Sequence, residues 1–363
     1  MAAKKPDFTK ILLKWHTDQN TRSMPWKGEK DPYKIWLSEV ILQQTRVEQG
    51  WAYYEKFLLA FPTLHDLAVA PEQKVFKLWE GLGYYSRCRN LIATAVLIDR
   101  KYNGIFPGRY EEILALKGIG PYTAAAIASF AFNLPYAVVD GNVLRVLSRY
   151  FGISTPIDTT AGKKLYAELA DSLLDKSRAG SYNQAIMDFG ASICRPQNPL
   201  CSTCVQAEDC QAWQKGWVDR LPVKEKTIRK KSRWLYYFFI ETAGEKVYIR
   251  QRKGKDVWED LFEFVLWERD EPVGVDDKDT DILDFVRRLA GGQFLTVKYI
   301  SRIYRQELTH QTIQGQFVTL RIEQPLPGLK DYLLVEKQTL KEYAFPKFIN
   351  AWLLDPTPVQ SLF

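Results

Sequence analysis

From about Phe8 to Asp209 apolar residues recur three and four positions apart, the spacing that lines one face of an α-helix. Pro and Gly punctuate the pattern at Phe61-Pro62, Pro71, Gly104 and Pro107, where helices stop and turns begin. The alternation that builds half-buried strands is scarce in this stretch. Residues 221–232, charged and Pro-containing, read as an exposed linker. Beyond it, residues 234–240, 246–250 and 316–322 are rich in aromatic and β-branched side chains, as strands are. The pattern predicts a mostly α part over 1–220, a linker over 221–232 and a separate α+β domain over 233–363. Neither an internal repeat nor a low-complexity tract is visible.

Composition narrows this picture modestly. A chain of 363 residues, 46% of them hydrophobic, can bury two ordinary cores. Its longest nearly apolar stretch, 124–132, is interrupted by Ser129 and ended by Asn133 and Pro135, far short of the ~20 residues a spanning helix needs. The start carries Lys4 and Lys5 but continues into Lys10 and Lys14 rather than an apolar core, so no export signal is expected. The expectation is a soluble, cytoplasmic, monomeric protein without a membrane partner. A net charge of +7 suits a polyanion without requiring one. The 11 Trp, 19 Tyr and 19 Phe are more suggestive, because aromatic faces stack on bases, although most such rings fill cores.

Candidate chemistry begins with Cys194, Cys201, Cys204 and Cys210, spaced Cys-x6-Cys-x2-Cys-x5-Cys. Four thiolates this close can hold an iron–sulfur cluster or a zinc ion, and a reducing compartment argues against two disulfides. Spacing alone leaves iron–sulfur and zinc open. Cys88, the fifth cysteine, reads as a small buried hydrophobe.

Upstream, Leu116-Lys117-Gly118-Ile119-Gly120-Pro121-Tyr122 places two glycines in a tight turn before an Ala-rich helix. Such a hairpin lets backbone N–H groups approach a phosphate, aided by the positive end of the next helix. By itself it is weak evidence, and an ordinary connector between helices is the better reading. Twenty residues past Gly120, Asp140 ends an apolar run and opens a helix, a typical N-cap position. Capping keeps a carboxylate fixed and ionised, so it is compatible with catalysis.

Helix-hairpin-helix, an Asp twenty residues on and cysteines at 6-2-5 spacing together resemble the iron–sulfur branch of the DNA glycosylase superfamily. The segment Trp36-Leu37-Ser38-Glu39-Val40-Ile41-Leu42-Gln43-Gln44-Thr45-Arg46-Val47, with Pro25-Trp26, is similar to the adenine DNA glycosylase (MutY) family. That resemblance runs from about Trp15 to Cys210 and resumes more weakly in the last third. It implies a helix-hairpin-helix glycosylase fold, a six-helix barrel with a 4Fe-4S cluster module held by the four cysteines, and a C-terminal Nudix-like α+β domain. It also implies a monofunctional enzyme that excises adenine mispaired with 8-oxoguanine or guanine in double-stranded DNA. Endonuclease III-like relatives carry a Schiff-base lysine where this chain has Tyr122, so strand cleavage by a lyase step is not expected.

Glu39 shares a helix face with Ile35 and Leu42, a setting that raises a carboxyl pKa. The resemblance makes it the acid that protonates adenine, with Asp140 the carboxylate beside C1′ and Tyr122 and Asn142 orienting the site. Gln44 and Tyr84 match positions that wedge into the base stack, Trp26 and Gln184 match positions lining the adenine pocket, and Gly118 and Gly120 belong to the phosphate-binding hairpin. The cluster would pin a loop carrying Arg195 and Lys215 against phosphates. In the last third no Nudix catalytic box is present, so pyrophosphatase activity is not expected. The family's Phe-Ser-His loop for 8-oxoguanine corresponds here to Leu308-Thr309-His310, which keeps the hydroxyl and the ring but not the aromatic residue.

Overall fold

The computed structural model describes residues 5–225, 230–273, 280–291, 293 and 295–355. The chain divides into two compact units, Met1–Ala70 with Arg89–Lys226, and Pro71–Cys88 with Thr227–Phe363.

Among its described residues the first unit is helical. In chain order its helices are α1 (Lys5–Asp18), α2 (Pro32–Leu42), α3 (Val47–Ala60) and α4 (Leu64–Ala68). After α5 (Glu72–Trp79), which lies in the second unit, come α6 (Ser86–Tyr102), α7 (Tyr110–Leu114), α8 (Pro121–Phe132) and α9 (Gly141–Phe151). The series ends with α10 (Thr160–Leu173), α11 (Ala179–Ser192) and the single turn α12 (Gln211–Gln214). Local chemistry sets several boundaries: Asp31 caps α2, Pro121 sits at the start of α8, and Asp140 caps α9 while Gly152 ends it in the left-handed region. One core joins α1, α9, α10 and α11 through Phe8, Leu12, Trp15, Val146, Tyr166 and Phe189. Trp15 meets Phe189 edge to face at 5.0 Å.

Among its described residues the second unit is built on a mixed eight-stranded sheet. Its strands are β1 (Lys231–Thr242), β2 (Lys246–Gln251), β3 (Phe262–Glu263), β4 (Val265–Arg269), β5 (Leu295–Ile300), β6 (Tyr304–Glu307), β7 (Gln311–Ile322) and β8 (Leu333–Glu336). Strands β1 and β7 run parallel at the centre, from Lys231↔Gln311 to Thr242↔Ile322, and every other pairing is antiparallel. The unbroken apolar run of β1 is explained by burial on both faces. Phe238 packs against Phe285 of α13 (Thr280–Ala290), whereas Tyr237 and Phe239 face Phe348 and Trp352 of α14 (Lys347–Leu353). Side chains alternate across the sheet, and each face has its own helix.

Residues 71–88 were expected within one helical domain over 1–220, yet they group with the sheet. The reason is specific polar docking: the Lys77 amine donates to the Tyr343 carbonyl at 2.9 Å, and the Phe345 N–H donates to Glu80 at 2.8 Å. The expected linker differs as well. Leu221 is buried and its carbonyl accepts from Arg149, while the Val223 carbonyl accepts from the Ile157 N–H. Residues 226–229 of that linker lie outside the described residues, and Lys231 and Ser232 already belong to β1. Among the described residues no helix is long and apolar enough to cross a membrane.

Candidate active site

Helix α2 places Glu39. Its sequence buries Tyr33, Ile35, Trp36, Leu37, Val40 and Ile41, so it is enclosed on nearly every side rather than carrying a single apolar stripe. Glu39 is only 6% exposed, and burial pushes its carboxyl up to about 7, the negative charge of Asp140 adding to the shift while a hydrogen bond from Tyr122 opposes it. Glu39, Tyr122, Asp140 and Asn142 line one cavity of about 370 Å³, together with Trp26 and Gln184. Six residues that the sequence singled out thus converge from α2, α8, α9, α11 and the segment before α2.

Each is held by a local device. Tyr122 lies in the first turn of α8, and burial, then Glu39 and Asp140, raise its hydroxyl well above the ordinary tyrosine range, so it stays a neutral donor. The Asp140 carboxylate accepts from the Val143 N–H at 2.8 Å and from the Asn142 amide at 2.8 Å, the first being its N-cap bond. Asn142 is fixed in turn by Arg145, whose guanidinium donates to the Asn142 side-chain oxygen at 2.8 Å, to the Gly190 carbonyl at 2.7 Å and to the Cys194 carbonyl at 2.7 Å. A continuous polar chain therefore joins the carboxylate at the cavity to the first cysteine. Gly190 permits this closeness, since a Cβ there would lie 2.7 Å from Asn142 Cβ.

Sequence reasoning missed Arg145, Arg149, Arg22, Lys27 and Asp188. The two α9 arginines, four apart, are both buried and so require several acceptors, but their local sequence does not mark them as buried. Arg22, Met24 and Lys27 flank Pro25-Trp26 and line the cavity, but they sit in an irregular segment that no periodicity marks.

Residues expected to touch DNA do not all share this cavity. Gln44, exposed just after α2, adopts φ +58°, and Tyr84 adopts φ +48°. Left-handed backbone is costly for such side chains and is kept where surroundings enforce it. Tyr84 belongs to the second unit, where its hydroxyl hydrogen-bonds Thr309 and the Arg87 guanidinium lies 5.5 Å from its ring. Thr309 and the exposed His310 form the turn between β6 and β7, closed by Leu308 N–H donating to the Gln311 carbonyl. In the first unit, Gly118 has φ +79° and packs on Asn90, whereas a Cβ at Gly120 would meet nothing within 4 Å. The open backbone at Gly120 heads α8, as an anion-binding turn requires.

Cys194, Cys201, Cys204 and Cys210 line a second, smaller cavity of about 30 Å³ with Phe8, Arg149 and Trp213. Among the described residues no group of three or more His, Cys, Asp or Glu side chains is arranged to hold a metal ion. Arg149 donates to Cys194 Sγ at 3.6 Å and the Gln206 N–H to Cys204 Sγ at 3.4 Å. Arg149 also grips the Val218, Leu221, Arg195 and Pro196 carbonyls, so a single side chain clamps the loop to α9.

A family model described as HhH-GPD superfamily base excision DNA repair protein matches residues 37–170. The adenine DNA glycosylase of Buchnera aphidicola subsp. Baizongia pistaciae (strain Bp) is 37% identical over 257 residues, 71% of this chain and 73% of that protein. That of Homo sapiens is 43% identical over 218 residues, 57% of this chain but only 40% of the human one. A solved thermostable thymine-DNA glycosylase, 31% identical, superposes with a TM-score of 0.54 over 58% of this chain and 97% of its own. With this identity across most of both chains, the protein described here belongs to the adenine DNA glycosylase family, within the HhH-GPD superfamily.

Proposed function

We propose that this chain hydrolyses the N-glycosidic bond of adenine in double-stranded DNA where adenine faces 8-oxoguanine or guanine, as a step of base excision repair in the cytoplasm. The observation that carries the reading is Glu39, a buried carboxyl raised to about 7, facing the same cavity as Asp140. A carboxylic acid still protonated near neutrality can give its proton to N7 of a flipped-out adenine. The C1′–N9 bond then breaks, adenine leaves neutral, and the positive charge remaining on the sugar meets the Asp140 carboxylate, which Asn142 and the α9 N-terminus keep in place. Water adds its oxygen to C1′ and returns a proton to Glu39, restoring the acid. Gln184 offers both a donor and an acceptor to the purine edge, and Trp26 offers a ring.

A lyase step would need a free amine at C1′, and Tyr122 supplies none. Lys27 and Lys30 line the cavity, but Lys27 is paired with Asp188 at 3.2 Å and Lys30 donates to the Phe130 carbonyl, so both amines are already engaged by the protein. Gly118 and Gly120 would hold a phosphate at the head of α8, and Gln44 and Tyr84 would fill the stack left by the extruded base. Thr309 and His310, on a Nudix-like second domain, would read the opposite oxidised base. The four cysteines fit a 4Fe-4S cluster: they line one cavity, and N–H donors reach two of the sulfurs. Bound there, the cluster would supply structural order to the loop, and Arg195 and Lys215 on that loop would supply the positive charge facing phosphates.

Single-turnover excision on duplexes with adenine opposite 8-oxoguanine, guanine, cytosine or thymine tests the reading. Excision should be confined to the first two, the strand should stay intact until alkali treatment, and borohydride should trap little adduct. Removal of pyrimidines, or efficient trapping, would replace this function with that of a bifunctional lyase.

A further inference from the structure

Part of the wall of the base cavity is made by residues 20–30, a segment that forms turns but no helix or strand, and yet contributes Arg22, Met24, Trp26 and Lys27. Such a segment has no backbone ladder of its own to fix where its side chains point. Three of its donors converge on one carboxylate: Asn20 Nδ2 lies 2.8 Å from Asp188 Oδ2, Arg22 Nη1 2.8 Å from Oδ1 and Lys27 Nζ 3.2 Å from Oδ2. The Asp188 side chain is fully buried, whereas those of Arg22 and Lys27 are about a quarter exposed, at 27% and 25%. A buried carboxylate is tolerated only when paired, so the anion and the segment order each other. Internal bonds tighten the loop further, with Lys27 donating to the Arg22 carbonyl at 2.7 Å and the Arg22 N–H to Asn20 Oδ1 at 3.1 Å. On α11, Asp188 stands four residues after Gln184, so one helix presents both a polar group to the cavity and the anchor of the opposing wall.

We infer that Asp188 is a positioning residue for base recognition: its buried carboxylate sets the wall carrying Arg22, Trp26 and Lys27 against the extruded adenine without touching the base. The inference rests on the adenine-excision reading above. Two consequences separate it from a merely structural part. Asp188 should matter for the base in the cavity but not for grip on the duplex, and its effect should run through Arg22 and Lys27.

The experiment uses full-length protein with Asp188→Asn, with Arg22→Gln plus Lys27→Gln, and with all three changes. Single-turnover adenine excision should fall at least tenfold in Asp188→Asn, whereas Kd for a duplex holding a tetrahydrofuran abasic analogue in place of adenosine should stay within twofold of the parent. The triple variant should be no slower than the slower of the other two, because the same wall is lost in each. Amide hydrogen exchange over residues 19–30 should quicken in Asp188→Asn, with other amides unchanged. Excision within twofold of the parent, losses that multiply, or unchanged exchange would overturn the inference. Should the parent excise adenine from no duplex, the enzymatic reading fails by itself, and the exchange measurement still decides whether Asp188 anchors the segment. If Asp188→Asn does not fold, the double variant, altering two partly exposed side chains, carries the same comparison of excision with abasic-duplex affinity.

Discussion

At the scale of single residues, Glu39 couples chemistry to stability. Its acid form is the one that can donate, so with a pKa of about 7 excision should decline as pH rises beyond that value. The same shift has a cost for folding. Because the native carboxyl titrates near 7 against an ordinary 4.5, the folded state binds the proton more tightly, and stability falls as pH climbs between those values. Glu39→Gln carries no such penalty. The variant should lose excision by ~10²–10⁴-fold while becoming more stable than the parent at pH 8, by up to ~3 kcal/mol. That advantage should vanish near pH 4, where both side chains are neutral. Single-turnover rates and thermal melts at the two pH values check both halves, and an active Glu39→Gln would end the acid assignment.

Among elements, the contact between α9 and α11 decides whether the carboxylate at the head of α9 is aimed at the cavity. Gly190→Ala would push a methyl to 2.7 Å from Asn142 Cβ and 3.1 Å from the Asn142 carbonyl oxygen. The shift would separate Asn142 and Arg145 from their partners and tilt Asp140. Overpacking of this sort costs ~1–3 kcal/mol. Excision should fall by more than the stability loss explains, since a displaced reacting group is penalised even in folded protein. Comparing melting temperature with rate at saturating enzyme tests this, and a folded Gly190→Ala with parental rate would show the contact to be slack.

Across the whole molecule, the cysteine loop and the cavity share α9: Arg149 clamps the loop and Arg145 reaches from the Cys194 carbonyl to Asn142. If the thiols hold an iron–sulfur cluster, Cys204→Ser should lower iron and acid-labile sulfide together and weaken DNA affinity, leaving the second unit folded. Stoichiometric zinc with no iron in the purified parent would refute the cluster. The second unit offers its own residues, Tyr84 and Thr309, in direct contact within it. The short segment 71–88 is part of that unit because Lys77 and Glu80 find backbone partners at Tyr343 and Phe345.

What the sequence determined was local: helix periodicity, the capping Asp140, the glycine turn at Gly118, the spacing of the cysteines and the apolar setting of Glu39 all depend on neighbours within a turn or two of chain. Those features, with the family resemblance, sufficed to choose six residues that line one cavity. Tertiary structure decided the rest. Segment 71–88 joined the sheet, Leu221 became a buried anchor instead of linker, and Asp188, Arg145 and Arg149 became hubs, through partners 45 to 266 positions away in the chain. An aspartate or arginine has the same local pattern whether solvated or buried. Only the folded chain brings the donors and acceptors that make burying its charge tolerable, and that pairing is what gives it a role.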